Sequence, residues 1–64
     1  MQEKPQYLTE AEVTKITGRA LSTLRNDRFN ARGIPYYKIG RSVRYNLDEV
    51  VSFMEDHKIK TQRI

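Results

Sequence analysis

Residues 7–30 read YLTEAEVTKITGRALSTLRNDRFN, and the punctuation inside them decides the architecture. Thr9 stands where a helix N-cap belongs, and Glu12 follows three residues later. That is the spacing of a capping box, in which each side chain satisfies a free backbone N–H of the other. Leu8 and Val13 bracket the cap at hydrophobic-staple positions. The helix that starts there turns Val13 and Ile16 inward and stops at Gly18, a suitable residue just past a last turn. A second helix is expected from about Leu21 to Asn30. Leu21 and Leu24 lie three apart on its inner face, while Ser22, Thr23, Asn26 and Asn30 lie opposite. Its weak point is Ala20, which takes the cap position with no side-chain oxygen to offer.

Two helices joined by a short turn containing glycine, the second polar on its outer side, predict a helix-turn-helix. An ordinary helical hairpin is the plainer alternative, and it would expose Glu and Lys for solubility and helix propensity. Here the outer side is Ser, Thr, Arg and Asn. Apart from Arg these are mediocre helix formers, but they suit phosphates and base edges.

Gly33 and Pro35 turn the chain, and residues 38–45, KIGRSVRY, follow as a β-hairpin. A two-residue loop Gly40-Arg41 would set Ile39 opposite Ser42 and Lys38 opposite Val43, mixing apolar and polar on each face. A three-residue loop Gly40-Arg41-Ser42 pairs Ile39 with Val43, Lys38 with Arg44 and Tyr37 with Tyr45. Since a one-residue slip exchanges the faces, burial favours the second register. It places Tyr37 and Tyr45 in the core and sets two cations opposite each other, with Arg41 at the tip. Such a pair repels by a few tenths of a kcal/mol, roughly, unless an anion lies against it. A cationic hairpin after a helix-turn-helix is a wing.

Asn46 can cap a third helix, with Glu49 three residues on and Tyr45 and Val50 as staple. Leu47, Val50, Val51, Phe53 and Met54 form its apolar stripe, and in so short a chain that stripe is core. The expected core is Leu8, Val13, Ile16, Leu21, Leu24, Ile34, Ile39, Val43, Leu47, Val50, Val51 and Met54. The fold class is therefore mainly α with a small β-hairpin, a winged helix-turn-helix of three helices and a two-stranded wing. It forms one domain over 1–64, with residues 1–6 flexible and a basic tail over 58–64. That tail is either inert or becomes ordered along a phosphate backbone or a partner.

The chain's 64 residues leave room for one modest core and no deep cleft. With no cysteine, disulfides and thiolate metal sites are excluded, and a reducing cytoplasm is expected. No long apolar run suggests a membrane span or signal segment. The net charge of +4 is unevenly spread. Residues 18–46 hold seven cations (Arg19, Arg25, Arg28, Arg32, Lys38, Arg41 and Arg44) against Asp27, whereas the remainder is net −2. Segregation of one sign favours an anionic partner, nucleic acid before a membrane surface. The pairs Asp48/Glu49 and Glu55/Asp56 sit on a helix with no cleft implied, and His57 has no companion ligand. No catalytic residue, metal site or cofactor is expected.

The segments YLTEAEVTKITG, STLRNDR and PYYKIGRSVRY, followed by an acidic residue and an apolar helix, resemble the small winged helix-turn-helix domains of phage and plasmid excisionases and related short regulators. These share the compact plan of MerR-type DNA-binding domains. The resemblance covers residues 7 to 54. Ala20 departs from the usual polar cap, and the FNARG link before Ile34 is slightly long. The resemblance implies that the second helix enters the major groove of double-stranded DNA and that the wing meets the minor groove or flanking backbone. By position, Ser22, Thr23, Arg25 and Asn26 would take the major-groove role, and Lys38, Arg41 and Arg44 the wing role, with Ser42 beside them in the loop.

Other residues have two readings. Arg28 suits either DNA contact or, with Asp27, an ion-pairing element that locks the link to the wing. Arg19 and Arg32 are expected as peripheral phosphate contacts, and Tyr36 as a surface aromatic or a partner of the sugar backbone. The expected function is sequence-specific DNA binding in recombination directionality or transcriptional control, in the cytoplasm of a bacterium or encoded by a phage. Its partners would be DNA, an integrase or recombinase, or further copies on adjacent sites. The alternative is a protein-interaction adaptor that docks an acidic partner.

Overall fold

The computed structural model describes residues 5–61, so the expectations for the two chain ends lie in part outside the described residues. The elements are β1 (Tyr7–Leu8), α1 (Glu10–Thr17), α2 (Leu21–Phe29), β2 (Tyr37–Ile39), β3 (Ser42–Asn46) and α3 (Leu47–Asp56). The three strands form one antiparallel sheet in the order β1-β3-β2.

The helix boundaries follow their local chemistry. At Thr9 both halves of the capping box form: Glu12 N–H donates to Thr9 Oγ1 at 3.2 Å, and Thr9 N–H donates to Glu12 Oε1 at 2.8 Å. α1 closes at Gly18, whose N–H donates to the Thr14 carbonyl at 2.8 Å. Ala20 gives α2 no side-chain cap. Asn46 Oδ1 accepts from Asp48 N–H at 2.8 Å and Glu49 N–H at 3.2 Å, the forward half of the box expected there.

The exit from α2 explains the FNARG link. Arg32 N–H reaches back to the Asp27 carbonyl at 2.9 Å and Ala31 N–H to the Arg28 carbonyl at 3.1 Å. These are the two bonds of a Schellman motif, which needs its residue after the cap in the left-handed region. Glycine usually fills that place, but here Ala31 does, at φ 54°. Gly33 then turns the chain toward Ile34 at φ 86°, pressed so close that a Cβ would lie 2.9 Å from Asp27 Cβ.

Leu8, Val13, Leu24, Ile34, Tyr45 and Val50 make the core, with Val43, Leu47 and Phe53 packed partly against it. Every element except β2 contributes. This core is smaller than expected. Leu21 is only half-buried, and Ile16, Val51 and Met54 are exposed. The Tyr45 ring fills much of the interior, and helices of two or three turns around it present only one line of side chains each.

The sheet corrects two further expectations. Tyr7–Leu8, read as the approach to a helix, is a strand, with Tyr7 opposite Asn46 and Leu8 opposite Tyr45. The hairpin takes the two-residue loop, pairing Tyr37 with Arg44, Lys38 with Val43 and Ile39 with Ser42. Gly40 has φ +60° and Arg41 is not among the residues with positive φ, the signature of a II′ turn with glycine first. That turn matches the strand twist. Burial does not oppose it, because β2 lies beyond the core: Ile39 is 72% exposed and Tyr37 is exposed too. Tyr37 packs edge-on against Tyr7 at 5.4 Å between ring centroids. Lys38 and Arg44 therefore do not face each other.

Candidate nucleic-acid interface

The core side of α2 is fixed by Leu24, which points its opposite face away from the protein. Ser22, Arg25, Asn26 and Phe29 are all exposed there. Residues seven apart in a helix lie within about 20° of the same direction, so Ser22 and Phe29 mark the centre line and Arg25 and Asn26 flank it. Thr23 is half-buried and sits on the flank, beside Arg19, Asp27 and Arg32. Asn30 folds back, its Nδ2 donating to the Asn26 carbonyl at 2.8 Å.

Two carboxylates organise the arginines. Asp27 accepts from Arg19 Nη2 at 2.7 Å and from Arg32 Nε at 3.2 Å, so these two cations straddle the exit from α2. Asp27 and Arg28 do not pair with each other. Arg28 instead donates from Nη1 to Glu10 Oε2 across the helix-turn-helix, and the same carboxylate lies 3.4 Å from Arg25 Nε. The hydrogen bond to Glu10 raises the Arg28 pKa, helped by the Tyr45 hydroxyl and opposed by burial. The Arg28 guanidinium also lies over the Tyr36 ring, 5.7 Å from its centroid, within cation–π range. Tyr36 is thus a surface aromatic that packs on Arg28 and, tilted, on Tyr45 at 6.2 Å.

The four helix-side arginines differ in freedom. The Arg28 side chain is 21% exposed and held by Glu10, so it acts first as the strut between α1 and α2. Arg25 is 58% exposed with a longer contact, and such a pair is worth little in water. A phosphate or base edge can take it over. Arg32 is tethered but 64% exposed, whereas Arg19 is half-buried, its Nε enclosed without a hydrogen-bond partner.

The wing supplies the rest. Lys38, Arg41 and Arg44 have no carboxylate partner among the described residues. The observed register puts Lys38 on the same face as Val43, turned toward α2, where it lines a groove with Ser22, Arg25, Asn26, Phe29 and Tyr36. Arg41 and Ser42 occupy the turn and the start of β3 and line a second groove with Arg25 and Arg28. Arg44 is half-buried, its Nη1 donating to the Val43 carbonyl at 2.7 Å. Two residues of this surface escaped the sequence reading. Glu10 is 15 and 18 positions from its arginines, which no local spacing reveals. Phe29 was legible, being seven residues past Ser22 and so on the outer side, away from Leu24.

His57 closes α3 through Nδ1–H donating to the Phe53 carbonyl at 2.8 Å, its ring 4.2 Å from that of Phe53. Among the described residues no group of His, Cys, Asp and Glu could hold a metal ion, and no helix is long and apolar enough to cross a membrane.

A family model described as a helix-turn-helix domain matches residues 7–58. No curated protein and no solved structure matches this chain. The match runs from β1 to just beyond α3 and so takes in α2, the wing and both grooves that separate them. With three helices, a short turn and an exposed polar face on the second, the chain belongs to the helix-turn-helix domain family, whose members bind DNA.

Proposed function

We propose that this protein is a sequence-specific double-stranded DNA-binding protein, working either as an excisionase-like recombination directionality factor or as a small transcriptional regulator. α2 lies in the major groove, and the wing follows the neighbouring minor groove or backbone. Arg25 and Asn26 are the base readers, of types that suit guanine and adenine edges respectively. Ser22 supports them, and Thr23 reaches backbone from the flank. Arg41 and Ser42 meet DNA at the wing tip, with Lys38 and Arg44 on phosphates. Arg19 and Arg32 add peripheral phosphate contacts, and Arg28 serves mainly as the strut beneath Arg25. An integrase, or further copies on adjacent sites, would be the partners of such a role.

One observation carries this reading. The exposed stripe of α2 faces the wing across two adjoining grooves, one walled by Lys38 and the other by Arg41, Ser42 and Arg44, and among the described residues these wing cations have no carboxylate partner. Phosphates can meet the wing cations while the α2 side chains beside them reach base edges. Selection of bound sequences from a random duplex pool, followed by footprinting, tests the proposal. It expects one recurring site protected in both a major groove and an adjoining minor groove. Recovery of unrelated sequences with no footprint would favour a protein-interaction adaptor docking an acidic partner.

A further inference from the structure

Phe29 is 89% exposed, the most exposed of the large hydrophobic side chains among the described residues. An aromatic ring left that bare is usually explained by a chain end or a loose loop. Phe29 is in neither place: it is the last residue of a regular helix, held from behind by the Schellman bonds of Ala31 and Arg32. It also stands on the outer centre line of α2, about 10 Å along the axis from Ser22.

The surroundings narrow what the ring can meet. It lines the same groove as Arg25, Asn26, Arg28, Tyr36 and Lys38, so cations and a hydrogen-bonding amide frame an apolar spot. In a major groove the apolar feature on base edges is the thymine C5-methyl group, and phenylalanine is among the side chains that contact it. We infer that Phe29 is a specificity-determining residue that packs its ring on the C5-methyl of one thymine at a fixed position in the site. The inference rests on the proposed major-groove role of α2. It adds a thymine to a surface whose polar readers suit guanine and adenine.

The ring makes so little contact with the protein that removing it should leave the fold intact. The test uses the duplex recovered by selection, with each thymine in turn replaced by deoxyuridine, which deletes only the methyl. Wild-type protein should lose about fourfold in affinity at one position, the factor for one methylene-sized group removed from apolar contact. Phe29→Ala should bind the parent duplex about fourfold more weakly and ignore the uridine at that position. Phe29→Leu should keep part of the discrimination. The thermal midpoints of both variants should match wild type.

Three results would overturn the inference while leaving DNA binding in place. One is a selected site with no invariant thymine. Another is a Phe29→Ala variant that loses affinity yet still senses every uridine, which would put the ring on a deoxyribose. The third is a variant with unaltered affinity, which would turn the ring toward a protein partner. Failure to bind any duplex would overturn the DNA reading and this inference together.

Discussion

Glu10 holds two arginines that differ in what they can give up. It braces Arg28 against α2 in a part-buried pair, and it touches Arg25 only loosely. Glu10→Gln should therefore cost about 1 kcal/mol in stability, the upper end for an exposed or partly exposed ion pair. It should also free positive charge beside the site, strengthening binding to random duplex and steepening the log–log salt dependence by about one. Thermal melts and salt titrations check the two halves separately. Arg25 and Asn26 should behave differently from every phosphate contact. Replacing either by Ala should remove roughly 1–3 kcal/mol of discrimination between the selected site and a scrambled one. Equal weakening on both duplexes would make them backbone contacts.

The elements carry their own predictions. Ala31 occupies a left-handed position that costs an L-residue about 1 kcal/mol, so Ala31→Gly should stabilise the protein by about that amount in a denaturant melt. Gly33→Ala should do the reverse, because it adds both left-handed strain and a Cβ against Asp27. At the wing the observed register removes a reason to expect gain from losing a cation. Lys38 faces Val43 rather than Arg44, so Lys38→Ala should leave the melt unchanged and weaken all DNA sequences alike. Arg41, at the turn, can enter a narrow A·T-rich minor groove, and Arg41→Ala should erode any A·T preference flanking the major-groove contacts.

The same elements mark what the sequence disclosed. Caps are local, so the Thr9–Glu12 box, Gly18 and Asn46 could be read from spacing, and with them both ends of α1 and the start of α3, while Leu21 and Leu24 disclosed the face of α2. The two-residue strand β1 could not, because Tyr7 and Leu8 are extended only through pairing with residues nearly 40 positions away. The wing register failed for a different reason. Alternation fixes a register only where both strands are buried, but β2 projects past the core, where turn chemistry decides instead. Gly40 in first place, the glycine position of a II′ turn, points to the two-residue loop. The salt bridges from Glu10 needed the fold itself.

At the scale of the whole molecule, a core of six buried residues among those described leaves little redundancy. Leu24→Ala should cost roughly 2–5 kcal/mol, a large share of what a domain of this size has, and should abolish DNA binding by unfolding rather than by lost contact. Net charge is likewise a property of the whole: Glu10 and Asp27 restrain four arginines, and the wing supplies cations that have no carboxylate partner among the described residues. Removing Lys38, Arg41 and Arg44 together should lower the log–log salt slope by about 2.7, at about 0.9 per phosphate. The proposed division of labour, with α2 reading sequence while the wing grips the duplex, stands or falls on one comparison. Equilibrium binding would be measured on the selected duplex and on a scrambled duplex of equal composition, at the same physiological salt. A preference of at least about 10³-fold for the selected duplex, the lower range for specific recognition, is expected. Equal affinity for the two would contradict it.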